Sequence, residues 1–374
     1  MIDALKVIGP FRGTSGYDQH TREFVRHLLG LGVRVQLENH PRWSIDLPAA
    51  QRERLFDLLD APVQCDTVLH FTMPNRASID RKRRNINYTM FEADGIPAAW
   101  ARCARDHARI VVPTESSRRA WIRGGVPESQ LRLCPLGVDG EFFAQPASPL
   151  PLKTPDGRAL TDVRHRFLNI AELRPRKNHL GLLRAWIRAT RADDDAVLIL
   201  KLSTFQPGLL QTFQQDLQRM QQLLGRSLRD AAPVCIVNNL LSRDELRSLF
   251  ACATHYISLS KGEGWDLVMM EAAASGLRLI APHHSAYCEY LQEDDAELIP
   301  SALVPVAFEG KLGSEDLKFF RGLSWWQPDE HAAVEVLQGV ISGRRPLKPS
   351  PRARITAQYS WQRATRRLLD VLDE

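Results

Sequence analysis

A chain of 374 residues is longer than one hydrophobic core usually serves, so its length predicts two domains. Apolar residues make up 44% and charged residues 25%, which are globular values and exclude extensive disorder. The net charge of +5 is concentrated in runs such as Arg81-Lys82-Arg83-Arg84, where no aromatic residues are interleaved, and this argues against nucleic-acid binding.

The N-terminal segment carries an acid, Asp3, and no long apolar core, so we do not expect a signal peptide there. The longest apolar runs, such as 196–200, are too short to cross a bilayer. The six cysteines are scattered without a CxxC pair, which indicates reduced thiols and not a disulfide framework or a zinc site. These features predict a cytoplasmic protein.

The first part of the chain alternates short apolar runs with helical patterns. Residues 5–8 predict a strand, small residues at 13–16 a turn, residues 18–29 a helix and residues 33–37 a second strand. Further strands are predicted at 67–71, 86–90, 110–113 and 131–135. Alternation of this kind implies a parallel sheet.

Prolines 146, 149, 151 and 155 interrupt this pattern and mark a linker over 146–165. The alternation then resumes with strands at 167–171, 196–202, 234–237, 255–259 and 278–281 and helices at 178–190, 243–253 and 266–275. We therefore predict a first domain over 1–145, a second over 166–345, and a last helix, about 360–374, that packs back on the first. Two doubly wound sheets of this type would face a cleft and bind ligands at the carboxyl ends of their strands.

The most informative segment is 260–276, SKGEGWDLVMMEAAASG, which begins where a predicted strand ends. Glu263 lies between Gly262 and Gly264, and glycines let the backbone approach a ligand closely. A helix then starts, and its free amide groups favour a phosphate. Glu271 lies just inside that helix, so the two carboxylates can grip hydroxyls on two parts of one ligand. The alternative interpretation is an ordinary capped helix with exposed glutamates.

The spacing of Glu263 and Glu271 resembles the E-x7-E signature of the retaining GT-B glycosyltransferases of family 4. Three further segments resemble family motifs in the same order: Thr14-Ser15-Gly16-Tyr17 its first glycine-containing loop, 135–142 the end of the first domain, and Arg176-Lys177 its phosphate-binding basic pair. The resemblance covers nearly the whole chain. It implies a GT-B fold of two Rossmann-like domains and the transfer of a hexose, of mannose or glucose type, from a GDP- or UDP-linked donor to an acceptor hydroxyl.

The same resemblance implies a role for each matching residue. Lys177, with Arg176, would neutralise the donor diphosphate, whose charge grows as the leaving group departs. Glu263 would hold hydroxyls of the transferred sugar, and Glu271 those of the ribose. Glycines and backbone amides would also lie close to the donor, at Gly16, Gly262, Gly264 and Trp265. No cofactor is implied beyond the nucleotide sugar itself.

Two departures from the family pattern affect this interpretation. Glu172 stands where the family often has arginine and cannot bind phosphate, so Arg176-Lys177 must supply that charge. Phe91 and Glu92 stand where many members carry a His-Asp pair, which makes Glu92 a candidate catalytic residue on the acceptor side. The sequence of residues 88–97 resembles that of a bacterial subgroup associated with surface-polysaccharide assembly. The expected acceptor is therefore a glycan or a lipid-linked glycan.

Several features allow other interpretations. Asp193-Asp194-Asp195 matches a metal-binding DxD pattern, but it precedes a predicted strand and so lies at the wrong edge; we interpret it as a solvated turn and expect no metal. The basic run 81–84 is either a solvated surface or a contact for an anionic acceptor or the inner membrane face. Trp325-Trp326 is either a sugar platform or core packing.

Two other functions remain as hypotheses. The substitutions at Glu172 and Phe91 favour a non-catalytic sugar-nucleotide-binding or scaffold subunit with the same fold. Intact Lys177, Glu263 and Glu271 argue against it. A phosphorylase of similar architecture would need a lysine site for pyridoxal phosphate, for which the sequence gives no signal.

Overall fold

The computed structural model describes residues 2–41, 43–51, 53–59, 61–204, 208–310 and 317–374. The chain forms two compact units. Unit 1 comprises Met1–Val138 and Ala357–Glu374, and unit 2 comprises Asp139–Thr356. Along the described ranges, no helix is both long and apolar enough to span a membrane.

Unit 1 is built on a parallel sheet. Its strands are β1 (Ala4–Gly9), β2 (Arg34–Asn39), β3 (Thr67–Phe71), β4 (Arg84–Tyr88), β5 (Arg109–Val112) and β6 (Leu131–Leu133). They lie in the order β2-β1-β3-β4-β5-β6, with every neighbouring pair parallel. All residues of β3 are buried, as expected for an inner strand covered on both faces.

Three helices follow strands of this sheet: α1 (Gly16–Gly30), α2 (Ala98–Ala104) and α3 (Glu115–Arg123). The first, α1, begins at a capping box, in which the Ser15 hydroxyl accepts from the Asp18 amide and the Asp18 carboxylate accepts from the Ser15 amide. Within the basic run, Arg83 lies 3.4 Å from the Asp80 carboxylate, and Arg84 donates to the carbonyl of Leu372. The two residues before them, 81 and 82, are exposed.

Unit 2 contains a second parallel sheet and a hairpin. The sheet strands are β7 (His165–Glu172), β8 (Ala196–Ser203), β9 (Val234–Val237), β10 (His255–Ile257), β11 (Arg278–Pro282) and β12 (Ala296–Ile299), and the antiparallel hairpin strands are β13 (Ser301–Pro305) and β14 (Ser324–Pro328). The sheet order is β12-β11-β10-β7-β8-β9. The strand order therefore reverses between β7 and β10.

The helices of unit 2 are α4 (Gly140–Ala144), α5 (His179–Ala189), α6 (Leu209–Leu224), α7 (Arg243–Ala251), α8 (Leu267–Ala274), α9 (Tyr287–Tyr290), α10 (Leu317–Phe320), α11 (Glu330–Ile341) and α12 (Arg352–Gln358), whose last two residues lie in unit 1. Three of them, α5, α6 and α11, contribute buried residues to a core that includes Phe167, Trp186 and Leu198. Sequence analysis did not predict α6, β12, the β13–β14 hairpin or α11.

The proline-rich segment 146–165 has little regular structure, yet it is packed within unit 2. Leu160 and Val163 are buried, and the Cys252 thiol donates to the carbonyl of Leu150. The segment is therefore part of the unit's fold.

The C-terminal helix α13 (Trp361–Asp373) belongs to unit 1. The ring of Trp361 meets that of Phe24 edge-on at 5.4 Å between centroids. A Cβ at Gly137 would lie 2.3 Å from the Trp361 backbone nitrogen, so this close approach needs glycine. The Cys134 thiol, 3.5 Å from the carbonyl of Ala364, adds a further contact.

Candidate active site

The point where the strand order reverses in unit 2 is where open α/β sheets bind ligands. Two loops begin there, 173–178 after β7 and 258–266 after β10. The Lys261 amide donates to the carbonyl of Arg176 at 2.8 Å, and the Asn178 side-chain amide donates to the carbonyl of Leu259 at 2.9 Å. The two loops that carry the residues singled out from the sequence therefore lie side by side.

Three charged side chains meet between these loops. One carboxylate oxygen of Glu263 accepts from the Lys177 ammonium at 2.6 Å, and the other lies 2.9 Å from an Arg176 guanidinium nitrogen. The Glu263 side chain is only 5% exposed, while those of both cations are 17% exposed. Arg176 also donates to the carbonyl of Gly262. Two cations share one carboxylate, so the cluster has an excess positive charge that can attract an anion.

The protonation of the cluster follows from its surroundings. Burial raises the pKa of Glu263, but the attraction of Arg176 and Lys177 is stronger and holds that pKa below its usual range. Asp266 responds in the opposite direction, because burial and then the negative charge of Glu263 both raise its pKa. Glu263 is therefore a permanent carboxylate at physiological pH.

Helix α8 starts immediately after this cluster. The Asp266 carboxylate accepts from the amide of Met269 at 3.4 Å and so caps the helix. Trp265 is buried, and its carbonyl accepts from the Tyr290 hydroxyl at 2.9 Å. Glu271 lies further along α8 with 2% of its surface exposed. The two glutamates of the E-x7-E pattern thus differ in setting: one is ion-paired in the loop and the other is buried in the helix.

Backbone strain is concentrated around the same loops. In the described ranges, the non-glycine residues with positive φ are Asn178 (55°), Asp266 (65°) and Ser285 (42°). They follow β7, β10 and β11, which are adjacent in the sheet. Left-handed backbone is unfavourable for such residues, and it is typical of ligand sites where the surroundings enforce it.

The comparison with known proteins rests on structure. At the level of sequence, the chain matches no protein-family model and no characterised protein. In structure it is similar to Anabaena HepE in complex with UDP and glucose, with a TM-score of 0.66, 11% identity and 99% of each chain covered. It is similarly close to sucrose-phosphate synthase from Thermosynechococcus elongatus, with a TM-score of 0.66, 14% identity, and 99% of this chain and 98% of that chain covered. The lipopolysaccharide outer core galactosyltransferase WaaB matches with a TM-score of 0.59, 11% identity and 99% of each chain covered.

The chain has the GT-B fold. Its two six-stranded parallel sheets with flanking helices are the two Rossmann-like domains of that fold, as the sequence predicted. The charged cluster lies at the strand-order reversal of the second GT-B domain, unit 2.

Two of the predicted site residues lie in the first GT-B domain, unit 1. Gly16 is exposed at the start of α1, and a Cβ there would meet nothing within 4 Å. Glu92 lies in the loop after β4, beside Tyr17: burial and, to a lesser degree, the charge of Glu92 raise the pKa of the Tyr17 hydroxyl. That hydroxyl accepts from the Met90 amide at 3.2 Å. The start of α1 and the loop after β4 are therefore in contact, so Gly16 and Glu92 belong to one region of unit 1.

In this region the packing of the folded chain requires glycine at position 13, not at position 16. A Cβ at Gly13 would lie 1.9 Å from the Ser44 hydroxyl oxygen and 2.8 Å from the Asp18 carboxylate. Gly13 is therefore fixed by internal packing, whereas the predicted role of Gly16 depends on a ligand.

The remaining acidic candidates pair with neighbouring arginines. Asp195 precedes β8, so the Asp193-Asp194-Asp195 run lies at the amino end of that strand, and its carboxylate pairs with Arg158 at 2.8 Å. Glu172 pairs with Arg174 at 2.8 Å, which offsets the negative charge of that carboxylate beside the cluster. In the part of the chain that the structure describes, no group of three or more His, Cys, Asp or Glu is arranged to hold a metal ion.

The tryptophan pair is packed into unit 2. Trp325 is buried and stacks on Phe308 at 5.5 Å between centroids. The Lys261 ammonium lies 5.0 Å from the Trp325 ring centroid, a cation–π contact. Trp326 stacks on His284 at 5.2 Å. The hairpin therefore packs directly on the loop that carries Glu263.

Sequence reasoning missed the residues that follow β11. Segment 284–290, which contains Ser285 and α9, contacts the Glu263 loop through several side chains. The available signal was positional: β11 was predicted, and its carboxyl end lies next to that of β10 in a doubly wound sheet. No motif marked the segment, because its contacts depend on the local backbone conformation.

Proposed function

We propose that this protein is a glycosyltransferase of the retaining, family 4 type, which moves a hexose from a nucleoside-diphosphate sugar to an acceptor hydroxyl. The observation that carries the proposal is the cluster of Arg176, Lys177 and Glu263 at the strand-order reversal of unit 2. Similar folds support the choice of donor, since HepE is described in complexes with UDP and with UDP-glucose, and WaaB as a galactosyltransferase.

The proposed reaction breaks the bond between the sugar C1 and the diphosphate oxygen. The electron pair of that bond stays on the diphosphate, the acceptor oxygen bonds to C1 on the same face, and its proton passes to the departing diphosphate oxygen. Negative charge grows on the diphosphate as the bond breaks, and Lys177 and Arg176 stabilise it. Glu263 would then hold hydroxyls of the transferred sugar, and Glu271 those of the ribose.

The other parts of the proposal concern the surroundings of the reacting centre. Gly262, Gly264 and the Trp265 amide would lie against the donor, while Gly16 and Glu92 would contribute from unit 1, with Glu92 on the acceptor side. The proposed acceptor is a glycan or lipid-linked glycan of surface-polysaccharide assembly, reached from the cytoplasm, with 81–84 as a contact for an anionic membrane. Catalysis would need no metal, so turnover should persist in EDTA.

The decisive experiment replaces Lys177 with alanine and measures hydrolysis of UDP-glucose and of GDP-mannose, in which water serves as the acceptor. Loss of one contact to the growing charge should lower kcat on the cognate donor by a few hundredfold, or about 3–4 kcal/mol. The matched control is Lys153→Ala, which removes an exposed lysine of the same unit.

Calorimetric titration of the same proteins with UDP and with GDP identifies the nucleobase of the donor. Turnover near the wild-type level in Lys177→Ala would contradict the donor site. A wild-type protein that binds a nucleotide sugar but turns over neither donor would favour the scaffold hypothesis, for which the substitutions at Glu172 and Phe91 are the motivation.

A further inference from the structure

Segment 284–290 holds the Glu263 loop along most of its length. Four of its side chains form hydrogen bonds to loop 260–266: His284 to the Ser260 carbonyl (2.9 Å), Ser285 to the Glu263 amide (3.2 Å), Tyr287 to the Asp266 carboxylate (2.8 Å) and Tyr290 to the Trp265 carbonyl (2.9 Å). The loop that carries Glu263 is therefore held in place by segment 284–290, which follows the neighbouring strand β11.

The two ring nitrogens of His284 have different and complementary partners. Nε2 faces the carbonyl oxygen of Ser260, which can only accept, so Nε2 carries the proton. Nδ1 must then accept, and its partner is the Ser285 hydroxyl at 2.8 Å. The hydroxyl oxygen in turn accepts from the backbone N–H of Glu263. The hydrogen bonds thus form a chain with one direction, from the Glu263 amide to the Ser260 carbonyl.

Burial keeps this chain intact at physiological pH. His284 is 3% exposed, and burial lowers its pKa to about 4. The imidazole is therefore neutral and Nδ1 remains an acceptor. Its ring plane is also held, because Trp326 stacks on it at 5.2 Å with an angle of 10° between the planes. The Trp326 amide donates to the Lys261 carbonyl at 2.8 Å, so the hairpin grips the histidine and the loop together.

The conformation of Ser285 indicates what its side chain contributes. Its φ of 42° lies in the left-handed region, where glycine would be favoured and serine costs about 1 kcal/mol or more. A Cβ at this position therefore works against the backbone. The serine hydroxyl, which joins His284 to the Glu263 amide, supplies a contact that glycine could not make.

We propose that His284 and Ser285 are positioning residues that fix the Glu263 backbone and, through it, the carboxylate between Arg176 and Lys177. This inference rests on the proposed function. The cations lie on a different loop and are not held by this chain of hydrogen bonds. Its loss should therefore impair the transfer step while leaving affinity for the free diphosphate unchanged.

The test uses Ser285→Gly, which removes the hydroxyl and relieves the left-handed strain. Relief of the strain and loss of two buried hydrogen bonds change stability in opposite directions, so thermal stability should stay close to that of the wild type. Over the same change, kcat for hydrolysis of the cognate donor, UDP-glucose or GDP-mannose, should fall about tenfold. Affinity for the matching free diphosphate should not change. If Ser285 had only a structural role, a variant that retains its thermal stability would also retain its activity.

A double-mutant cycle sharpens this test. His284→Phe keeps a ring to stack on Trp326 and removes both hydrogen bonds. Because the two residues act in one chain, the double variant with Ser285→Gly should lose little more activity than either single variant. Fully additive losses, or wild-type kcat in Ser285→Gly, would overturn the inference.

Two further measurements separate this inference from the proposed function. If Lys177→Ala lowers turnover and Ser285→Gly does not, only the positioning role fails; if Lys177→Ala has no effect, the donor site itself is wrong. Amide hydrogen exchange at Glu263 gives an answer that needs no turnover: Ser285→Gly should exchange faster there, and unchanged protection would overturn the inference.

Discussion

The sheets of the two units end in loops that are held by different kinds of interaction. In unit 1, one buried carboxylate organises the loop after β1: Asp18 accepts from the Gly13 amide at 2.7 Å and from the Ser44 hydroxyl at 2.7 Å. Arg22 adds hydrogen bonds to the carbonyls of Phe11 and Gly13, at 2.8 and 2.7 Å. Backbone donors and acceptors of this loop are therefore satisfied by side chains of α1.

In unit 2, the corresponding edge holds a cluster of charged side chains and strained backbone. Glu263 is shared by two cations, and the described non-glycine residues with positive φ all belong to this unit. Preorganised charge and strain are features that proteins maintain for function and at the expense of stability. Comparing the two edges suggests that substitutions in the first should mainly affect folding, and substitutions in the second mainly turnover.

The largest expected effect is on the stability of unit 1. Asp18→Ala leaves several buried donors unsatisfied, including the Gly13 amide, and should reduce the free energy of unfolding by about 3 kcal/mol. Calorimetric unfolding measures this loss, with the exposed Asp66→Ala as control. The variant should bind UDP or GDP as tightly as the wild type at a temperature where both are folded. A loss of nucleotide affinity in folded Asp18→Ala would contradict the proposal that substitutions at the unit 1 edge mainly affect folding.

The next effect separates the two glutamates of unit 2. Glu271→Gln should weaken binding of the free nucleoside diphosphate, because the ribose is part of that product. Glu263→Gln should reduce transfer without weakening this affinity, because the sugar is absent from the product and the loss of one carboxylate leaves Arg176 and Lys177 more positive. A hydrogen bond to a charged group contributes about 1.5–3 kcal/mol, so each change should amount to roughly tenfold or more.

Calorimetric titration and initial rates on both variants measure these changes. If Glu263→Gln loses diphosphate affinity and Glu271→Gln does not, the two roles are reversed. If neither variant changes binding or rate, the E-x7-E interpretation is wrong.

The smallest effect concerns acid stability in unit 1. His20 is buried among aromatic rings, and burial lowers its pKa to about 3. The folded state therefore binds fewer protons than the unfolded state, so the contribution of His20 is complete above the unfolded pKa of about 6.5 and declines as the pH falls towards 3. Between pH 6.5 and pH 5, the range in which it is measured, the decline amounts to about 2 kcal/mol.

His20→Phe should remove this part of the acid sensitivity. Thermal unfolding of the variant and the wild type between pH 7 and pH 5 measures the difference, which should grow as the pH falls. The exposed His331→Phe serves as the control for replacing a histidine by phenylalanine. A parallel pH dependence in His20→Phe and wild type would mean that His20 does not titrate with folding.

The apolar pattern of the sequence was sufficient to identify both sheets, apart from the edge strand β12 of the second. The strand predicted at 67–71 coincides with β3, and that at 234–237 with β9. Helix α6 was missed although it carried a usable signal, since its buried Leu209, Phe213 and Met220 repeat at helical spacing.

The candidate site was predictable only in part. The resemblance to family motifs singled out Glu263 and the basic pair 176–177. These residues meet because adjacent parallel strands bring their carboxyl ends together. The contribution of Ser285 depends on its backbone φ of 42°. A glycine at this position would have indicated such a conformation, but a serine does not. In the same way, the packing that requires Gly13 arises from Ser44, on a distant loop, and cannot be inferred from local sequence.

Helix α13 has a consequence for how the protein is made. It packs against α1, where the rings of Trp361 and Phe24 meet, yet the whole of unit 2 lies between these two helices in the chain. During synthesis the ribosome therefore releases all of unit 2 before α13 emerges. Until then the α1 face that receives Trp361 is open to solvent and to chaperones. Unit 2 can be complete while unit 1 is still waiting for its last helix, so the first domain to begin folding is the second to finish.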